Sequence, residues 1–467
     1  MEMRKEILIV LLIALITRFL WLDARIVDFD ESIHGWIALK SVIENQNYVY
    51  DPAYHGPFQY FILSVIFRIL GDNNFSLRLP AAAFSVMGVV AGFMLKRWIG
   101  NSAYIFTFFL LFSPSILYYS RYARNDIIVL SSFLVALFFY LRYRESKRIA
   151  DACISALFLA VIFTSKENWI QYLSFLVLIP VYGIYSEGRD YFRNINLPAL
   201  AASATVFALF SAFMYSSAFV DNNAMEALLN AQWIENYLSS SISYWLKNAI
   251  GGSVHYHPVW YYALILLRYD FLALGIAILG AFYVKRELNF VEALAVFWTA
   301  VSVIFYHAMS YKTPWLVVHI VAPLAFFGSV FAGKEIFDED KEALRFAFCI
   351  LGLFTLIFAV HITYVNYQDT REPLIYIQTQ PGAVEIAKRI ESLAESGNRV
   401  LVYVPGHYYW PLPWMLRHVT VAYSGDRCTE GFDYVFTSER GECIKAGYKP
   451  VREYEMRAGV YIWEMSR

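Results

Sequence analysis

Long apolar runs separated by short polar segments dominate the chain. Runs close to the roughly 20 residues needed to cross a bilayer fall at 6–22, 78–95, 103–118, 125–141, 149–164 and 168–185. Others follow at 197–219, 262–284, 290–308, 314–332 and 345–364. A further run, 57–70, is only 14 residues long and contains Arg68, which suits an interfacial or re-entrant segment better than a crossing. The first run, Ile7 to Leu22, lacks a small-residue cleavage site and reads as a membrane helix rather than a secretory signal. Basic residues then set the orientation. Arg4 and Lys5, Lys96 and Arg97, the cluster Arg142, Arg144, Lys147 and Arg148, then Arg189 and Arg193, Lys285 and Arg286, and Lys334 all fall on one face if there are eleven crossings and 57–70 is not one of them. That face is the cytoplasmic one by the excess of positive charge. The expectation is a multi-pass protein of the cell membrane with a cytoplasmic N-terminus and an extracytoplasmic C-terminal segment.

After residue 370 the pattern changes. Residues 371–467 hold 24 of the 77 charged side chains, a density typical of a soluble domain, whereas the preceding residues are much poorer in charge. Within this tail, 383–396 has helical spacing, and 399–404, 432–437 and 458–463 read as strands. The predicted architecture is therefore an α-helical polytopic membrane domain, 1–370, followed by a small extracytoplasmic α/β domain, 371–467. Overall composition agrees: 58% hydrophobic, 18% aromatic and 16% charged residues, with a mean hydropathy of +0.45. A soluble core cannot hide that much apolar surface, so lipid must solvate most of the chain. The net charge of −1 gives no reason to expect nucleic acid as a partner. Cys428 and Cys443 sit in the outer domain, where either a disulfide or two free thiols fit, while Cys153 and Cys349 fall inside membrane helices as small packing residues. No metal-ligand cysteine spacing, Walker loop, G-x-S-x-G or G-x-G-x-x-G is present.

The predicted outer face receives the unusual segments: 23–56, 119–126, 165–168, 220–261 and 307–315. Asp28, Asp30 and Glu31 lie together just past the first helix, before an amphipathic stretch with Ile33, Trp36, Ile37 and Leu39 that suits the interface. A carboxylate there can accept a proton from an attacking hydroxyl or bind a divalent cation, and it can equally be an acidic N-cap, with Asp30 preceding Ser32 and Ile33. Arg121, Arg124 and Asp126 cluster at another outer helix end, Lys166 and Glu167 at a third, and Lys312 at a fourth. Singly each fits a snorkelling or structural role. Together, with Arg18 near the outer end of the first helix, they suggest a polar cavity suited to a lipid-linked phosphate, which guanidinium binds in bidentate fashion. His55 in Y-H-G-P, a further candidate for the lipid-phosphate site, His255 and His257 in Y-H-P-V-W-Y-Y, His307 and His407 are also on this face. A metal held by Asp28, Asp30, His255 and His257 is one reading, and interfacial hydrogen bonding by the histidines is the other. Tyr256, Trp260, Tyr261 and Tyr262 fit an aromatic belt or a platform for a sugar ring.

The segments DESIHGWIALKS, YDPAYHGPFQYF, SRYARNDI, TSKEN, YHPVWYY, YKTPWL and YWPLPW carry a resemblance. In this order they look like the class C glycosyltransferases of the dolichyl-phosphate-mannose protein mannosyltransferase superfamily, and in particular an archaeal branch associated with flippase activity. The resemblance implies transfer of a sugar, with inversion, from a polyprenyl-phosphate-linked donor to a glycan or protein acceptor at the extracytoplasmic face. It implies catalytic roles for Asp30 and Glu31, and donor or lipid-phosphate contacts for Arg121, Arg124, Asp126, Lys166 and Glu167. The W-W-D-Y-G signature of oligosaccharyltransferases is absent, which argues against transfer of a whole glycan to Asn. The flippase association leaves a non-catalytic accessory protein for lipid-linked glycans as the alternative.

Overall fold

The computed structural model describes residues 2–44, 48, 50–216, 232–250, 255–406 and 408–467. His407 and parts of the segment 220–261 lie outside the described residues. Among the described residues, seven helices are long and apolar enough to cross a membrane: Asn74–Ile99, Asn125–Ser146, Trp169–Glu187, Leu197–Tyr215, Phe290–Ala308, Pro314–Phe337 and Glu339–Val365. The first helix, α1 (Glu2–Phe19), turns Leu8, Ile9, Leu12 and Ile16 outward, an apolar face that only lipid or a partner would solvate. Helix α2 (Phe29–Ile43) follows, then α3 (Phe58–Leu70), whose 13 residues fall short of a span, and α4 (Asn74–Met94). The chain is a multi-pass α-helical membrane protein.

Two of the predicted crossings are interrupted. The run 262–284 is split at Asp270 into Tyr261–Tyr269 and Phe271–Ala281, which are bent by 103°; as one span they would be an eighth crossing. The run 103–118 is split into Ser102–Phe112 and Pro114–Tyr119. Proline removes a backbone donor and favours the first turn of a new helix, and Ser113 caps that turn through Ile116 N at 3.2 Å. The two breaks meet: the hydroxyls of Ser113 and Ser115 both donate to the buried Asp270 carboxylate. A buried charge is tolerated when it is hydrogen-bonded, so the serines make the bend at Asp270 sustainable. The predictive pattern missed both breaks because polar residues that pair with one another across the bundle look, along the sequence, like isolated interruptions.

The C-terminal segment forms a five-stranded sheet from β1 (Val400–Tyr403), β2 (Ala422–Ser424), β3 (Tyr434–Thr437), β4 (Lys449–Arg457) and β5 (Val460–Ser466). Their spatial order is β2-β1-β3-β5-β4, with the first three parallel and β5 antiparallel to both neighbours. The helix Pro381–Glu395 covers one face, burying Ala383, Ile386, Ile390 and Leu393 against the sheet. Cys428 and Cys443 are joined as a disulfide. This unit sits on the loop that follows α1. Trp414 packs on Phe67 at 5.6 Å between ring centroids, and its indole N–H donates to Asn74 Oδ1 at 3.0 Å. A β-carbon on Gly35 would come within 2.8 Å of the Trp414 ring, so α2 can approach that closely only with glycine there. Gln378 donates to Ile26 O at 2.9 Å, and Arg457 lies 4.7 Å above the Phe29 ring. The sheet domain thereby covers the start of α2, where the carboxylates are.

Candidate active site on the polar loops

The α2 N-terminus is built as a capping box. Asp28 Oδ1 accepts from Glu31 N at 2.8 Å, and the Glu31 side chain turns back to Asp28 N at 3.4 Å. The cap is therefore Asp28, which corrects the expectation of Asp30: the helix starts two residues earlier than the Ser32–Ile33 pattern suggested. Asp28 also receives the Tyr122 hydroxyl, while burial, and then the neighbouring Glu31 charge, push its pKa up.

Glu31 is completely buried. Arg78 grips it in bidentate fashion, Nε and Nη2 each at 2.8 Å, Arg25 lies at 2.9 Å, and Ala123 N donates at 2.9 Å. Burial alone would raise its pKa, but the two guanidiniums prevail and hold it down at about 2. Arg78 extends further to the carbonyls of Leu22 and Arg25 at 3.0 and 2.8 Å, so this one ion cluster ties the first loop to α4 and to the 119–124 turn.

Asp30 faces elsewhere. Its side chain is 21% exposed and pairs with Arg124 Nη1 at 2.8 Å. Arg124 stacks 3.9 Å above Trp315, approaches Asp126 at 3.9 Å and points Nη2 at His55 Nε2, 3.4 Å away, while its Nε is buried with no hydrogen-bond partner. Asp126 is held by Lys166 Nζ at 2.7 Å and His319 Nε2 at 3.0 Å. Burial pushes the Lys166 pKa down, against the pull of Asp126. His55 Nδ1 meets Glu167 Oε2 at 2.6 Å, and Tyr50 donates to the other Glu167 oxygen at 3.0 Å. Burial lowers the His55 pKa despite Glu167. A neutral ring donating from Nδ1 presents Nε2 as an acceptor toward Arg124.

Why H-G-P is needed at 55–57 is visible in the backbone. His55 adopts φ +73°, and Gly56 N and Phe58 N donate to Ser165 O and Thr164 O at 3.1 and 3.0 Å. A β-carbon on Gly56 would lie 2.2 Å from Thr164 O. The Y-H-G-P and T-S-K-E-N segments are thus strapped together, which sets His55 against Glu167.

Asp30, Arg124, Asp126, Lys166, His55 and Glu167 form one contiguous network. Arg18 and Arg121 do other work. Arg18 donates to the carbonyls of Leu110 and Leu111 at 2.5 and 3.1 Å, and Arg121 to those of Arg18 and Trp21, both at 2.8 Å. Each binds carbonyls at or just past a helix C-terminus. Lys312 binds Met309 O rather than a member of the network. The metal set is not assembled: Asp28 caps α2, Asp30 pairs with Arg124, His255 meets the Tyr376 hydroxyl at 2.7 Å, and His257 stacks on Tyr261 at 4.1 Å. Among the described residues no group of three or more His, Cys, Asp or Glu side chains is placed to hold an ion.

Sequence reasoning missed Arg25, Arg78, Tyr122, His34, Trp315 and His319. His34 bonds the Tyr60 hydroxyl at 2.6 Å and stacks beside His55, 6.5 Å between ring centroids. One signal was available for His319: an ionisable residue inside an apolar run is a functional candidate by default.

Residues 54–215 match the family described as dolichyl-phosphate-mannose-protein mannosyltransferase. The span includes His55, Arg124, Asp126, Lys166 and Glu167. The fold is that of ArnT from Cupriavidus metallidurans. The structure of that protein bound to undecaprenyl phosphate aligns with a TM-score of 0.67 at 14% identity, covering 98% of this chain and 98% of the other. Its apo structure gives 0.66 at 14% identity, covering 99% of this chain and 98% of the other. No curated protein matches the sequence.

The two neighbouring carboxylates should separate in stability measurements. Glu31→Gln leaves two buried guanidiniums undercompensated and should cost about 3–5 kcal/mol. Asp30→Asn, partly exposed and with Arg124 still facing Asp126, should cost about 1 kcal/mol or less. Unfolding of the detergent-solubilised variants measures both, and equal losses would contradict the division of roles.

Proposed function

We propose that the chain is an inverting glycosyltransferase that uses a polyprenyl (dolichyl) phosphate-linked sugar at the outer face of the membrane. The observation that carries this reading is the pairing of a partly exposed carboxylate, Asp30, with a guanidinium whose buried Nε makes no hydrogen bond and has only Asp126, 3.9 Å away, as an ionic neighbour. The family match over 54–215 and the ArnT-like fold support it, and the family's description makes mannose the first sugar to test. Kinship to the archaeal, flippase-associated branch belongs to the same proposal.

In this reading the donor phosphate meets Arg124 and Lys166. Asp30 accepts the proton of the acceptor hydroxyl as that oxygen attacks the anomeric carbon, and the bond from that carbon to the phosphate oxygen breaks with its electron pair leaving on polyprenyl phosphate. A hydroxyl is a weak nucleophile until its proton is taken, and a positioned base contributes typically 10²–10⁴-fold. Asp126 and His319 orient Lys166, and Glu167 orients His55. Glu31 holds the loop that presents Asp30, and Arg18 and Arg121 hold helix ends.

Asp30→Asn should insert and bind donor like the parent while losing transfer by at least about a hundred-fold. Arg124→Gln should weaken donor binding by about ten-fold or more. Binding of a lipid-phosphate sugar and its turnover measure the two effects. Undiminished transfer by Asp30→Asn would instead favour an accessory protein that handles lipid-linked glycans without chemistry.

The orientation is part of the proposal, because the basic loops put the N-terminus in the cytoplasm and residues 371–467 outside. A reporter active only in the cytoplasm, fused after Arg467, should be silent. A strong signal would move the site to the other face.

A further inference from the structure

A cavity of about 960 Å³ opens at the other end of the bundle, between Asn125–Ser146, Ile149–Phe163, Phe175–Glu187 and Leu197–Tyr215. It lies at the opposite end of Asn125–Ser146 from Asp126, roughly 27 Å away at 1.5 Å per residue. Leu159, Leu200 and Phe207 line its apolar part, and Leu200 is exposed at its rim. Arg144, Lys147, Glu187, Tyr182 and Tyr191 line its polar part. The volume is at the upper end of the range of small-molecule pockets, about 300–1,000 Å³.

The two cations stand out from their neighbours. Arg142 pairs with Asp151 at 2.8 Å, and Arg97 with Glu145 at 2.5 Å. Arg144 and Lys147 have no carboxylate within 4.0 Å among the described residues. Arg144 instead lies 4.0 Å above the Phe290 ring, and Glu187 accepts from the Asn194 amide at 3.2 Å. The wall of the cavity therefore carries one net positive charge beside an apolar slot facing the bilayer. The dipole of the helix end favours a cation here, but it does not account for the space beside it.

We propose that this cavity binds an anionic diacyl phospholipid of the adjacent leaflet. A phosphodiester carries one negative charge and balances the wall, whereas a phosphate monoester carries about 1.5–2 at neutral pH and overshoots it. Tyr182 is committed to Leu288 O at 3.2 Å, so the Tyr191 hydroxyl is the one offered to the headgroup, Arg144 and Lys147 take the phosphate, and the acyl chains fill the slot between the helices.

Native mass spectrometry of the full chain, equilibrated in detergent with phosphatidylglycerol or phosphatidylcholine, tests the proposal. Phosphatidylglycerol should be retained and phosphatidylcholine lost. The double variant Arg144→Gln/Lys147→Gln should weaken that retention by about ten-fold or more. Leu200→Trp, which fills the cavity from its rim and keeps both cations, should displace the lipid too, and it decides the matter if the double variant does not fold. Equal retention of phosphatidylcholine, parent-like retention by the variants, or preference for polyprenyl phosphate or for a polyprenyl-phosphate-linked sugar, itself a phosphodiester, would overturn the proposal.

Discussion

Glu31 is completely buried against Arg25 and Arg78, and a carboxylate in that position is sustained only because both guanidiniums and the Ala123 amide meet it. The rest of this polar face follows from that constraint. Arg78 comes from α4 and Arg25 from the first loop, so satisfying Glu31 fixes the distance between them and anchors α2. With Glu31 turned inward, the helix places Asp30, one residue earlier, on a different face, where Arg124 meets it. One carboxylate builds the loop and its neighbour is presented by it.

A second tier of charge pairing surrounds this anchor. Asp126 collects Lys166 and His319, and Glu167 collects His55 and Tyr50, from segments far apart in the chain. Burying such charges costs several kcal/mol per ion unless partners are in place, so the network is affordable only as a whole. Gly56, which lets the 55–58 backbone lie against 164–165, and Gly35, which lets Trp414 dock, are the local concessions that bring the pieces within reach.

Much of this could be read from the sequence, and what was missed has a physical pattern. Seven of the eleven apolar runs coincide with helices of membrane-spanning length among the described residues, because burial in lipid requires continuous apolarity. Asp30, Arg124, Asp126, Lys166, Glu167 and His55 were legible because charge is rare in such a chain and these residues cluster near predicted helix ends. Arg18 and Arg121 share that signature yet cap helices, and a capping role depends on where another segment happens to end. Arg78 and His319 acquire their roles from residues 47 and 193 positions away, which periodicity does not encode. The breaks at Ser113 and Asp270 were hidden for the same reason.

The central claim is that the network around Asp30 and Arg124 transfers a sugar from a lipid phosphate. Incubating the purified chain with a polyprenyl-phosphate-linked hexose and a hydroxyl acceptor, and following lipid and acceptor by mass spectrometry, tests it directly. The account predicts release of polyprenyl phosphate matched by acceptor carrying one sugar of inverted anomeric configuration. Donor that binds but stays intact across the candidate sugars, or product with retained configuration, would contradict it.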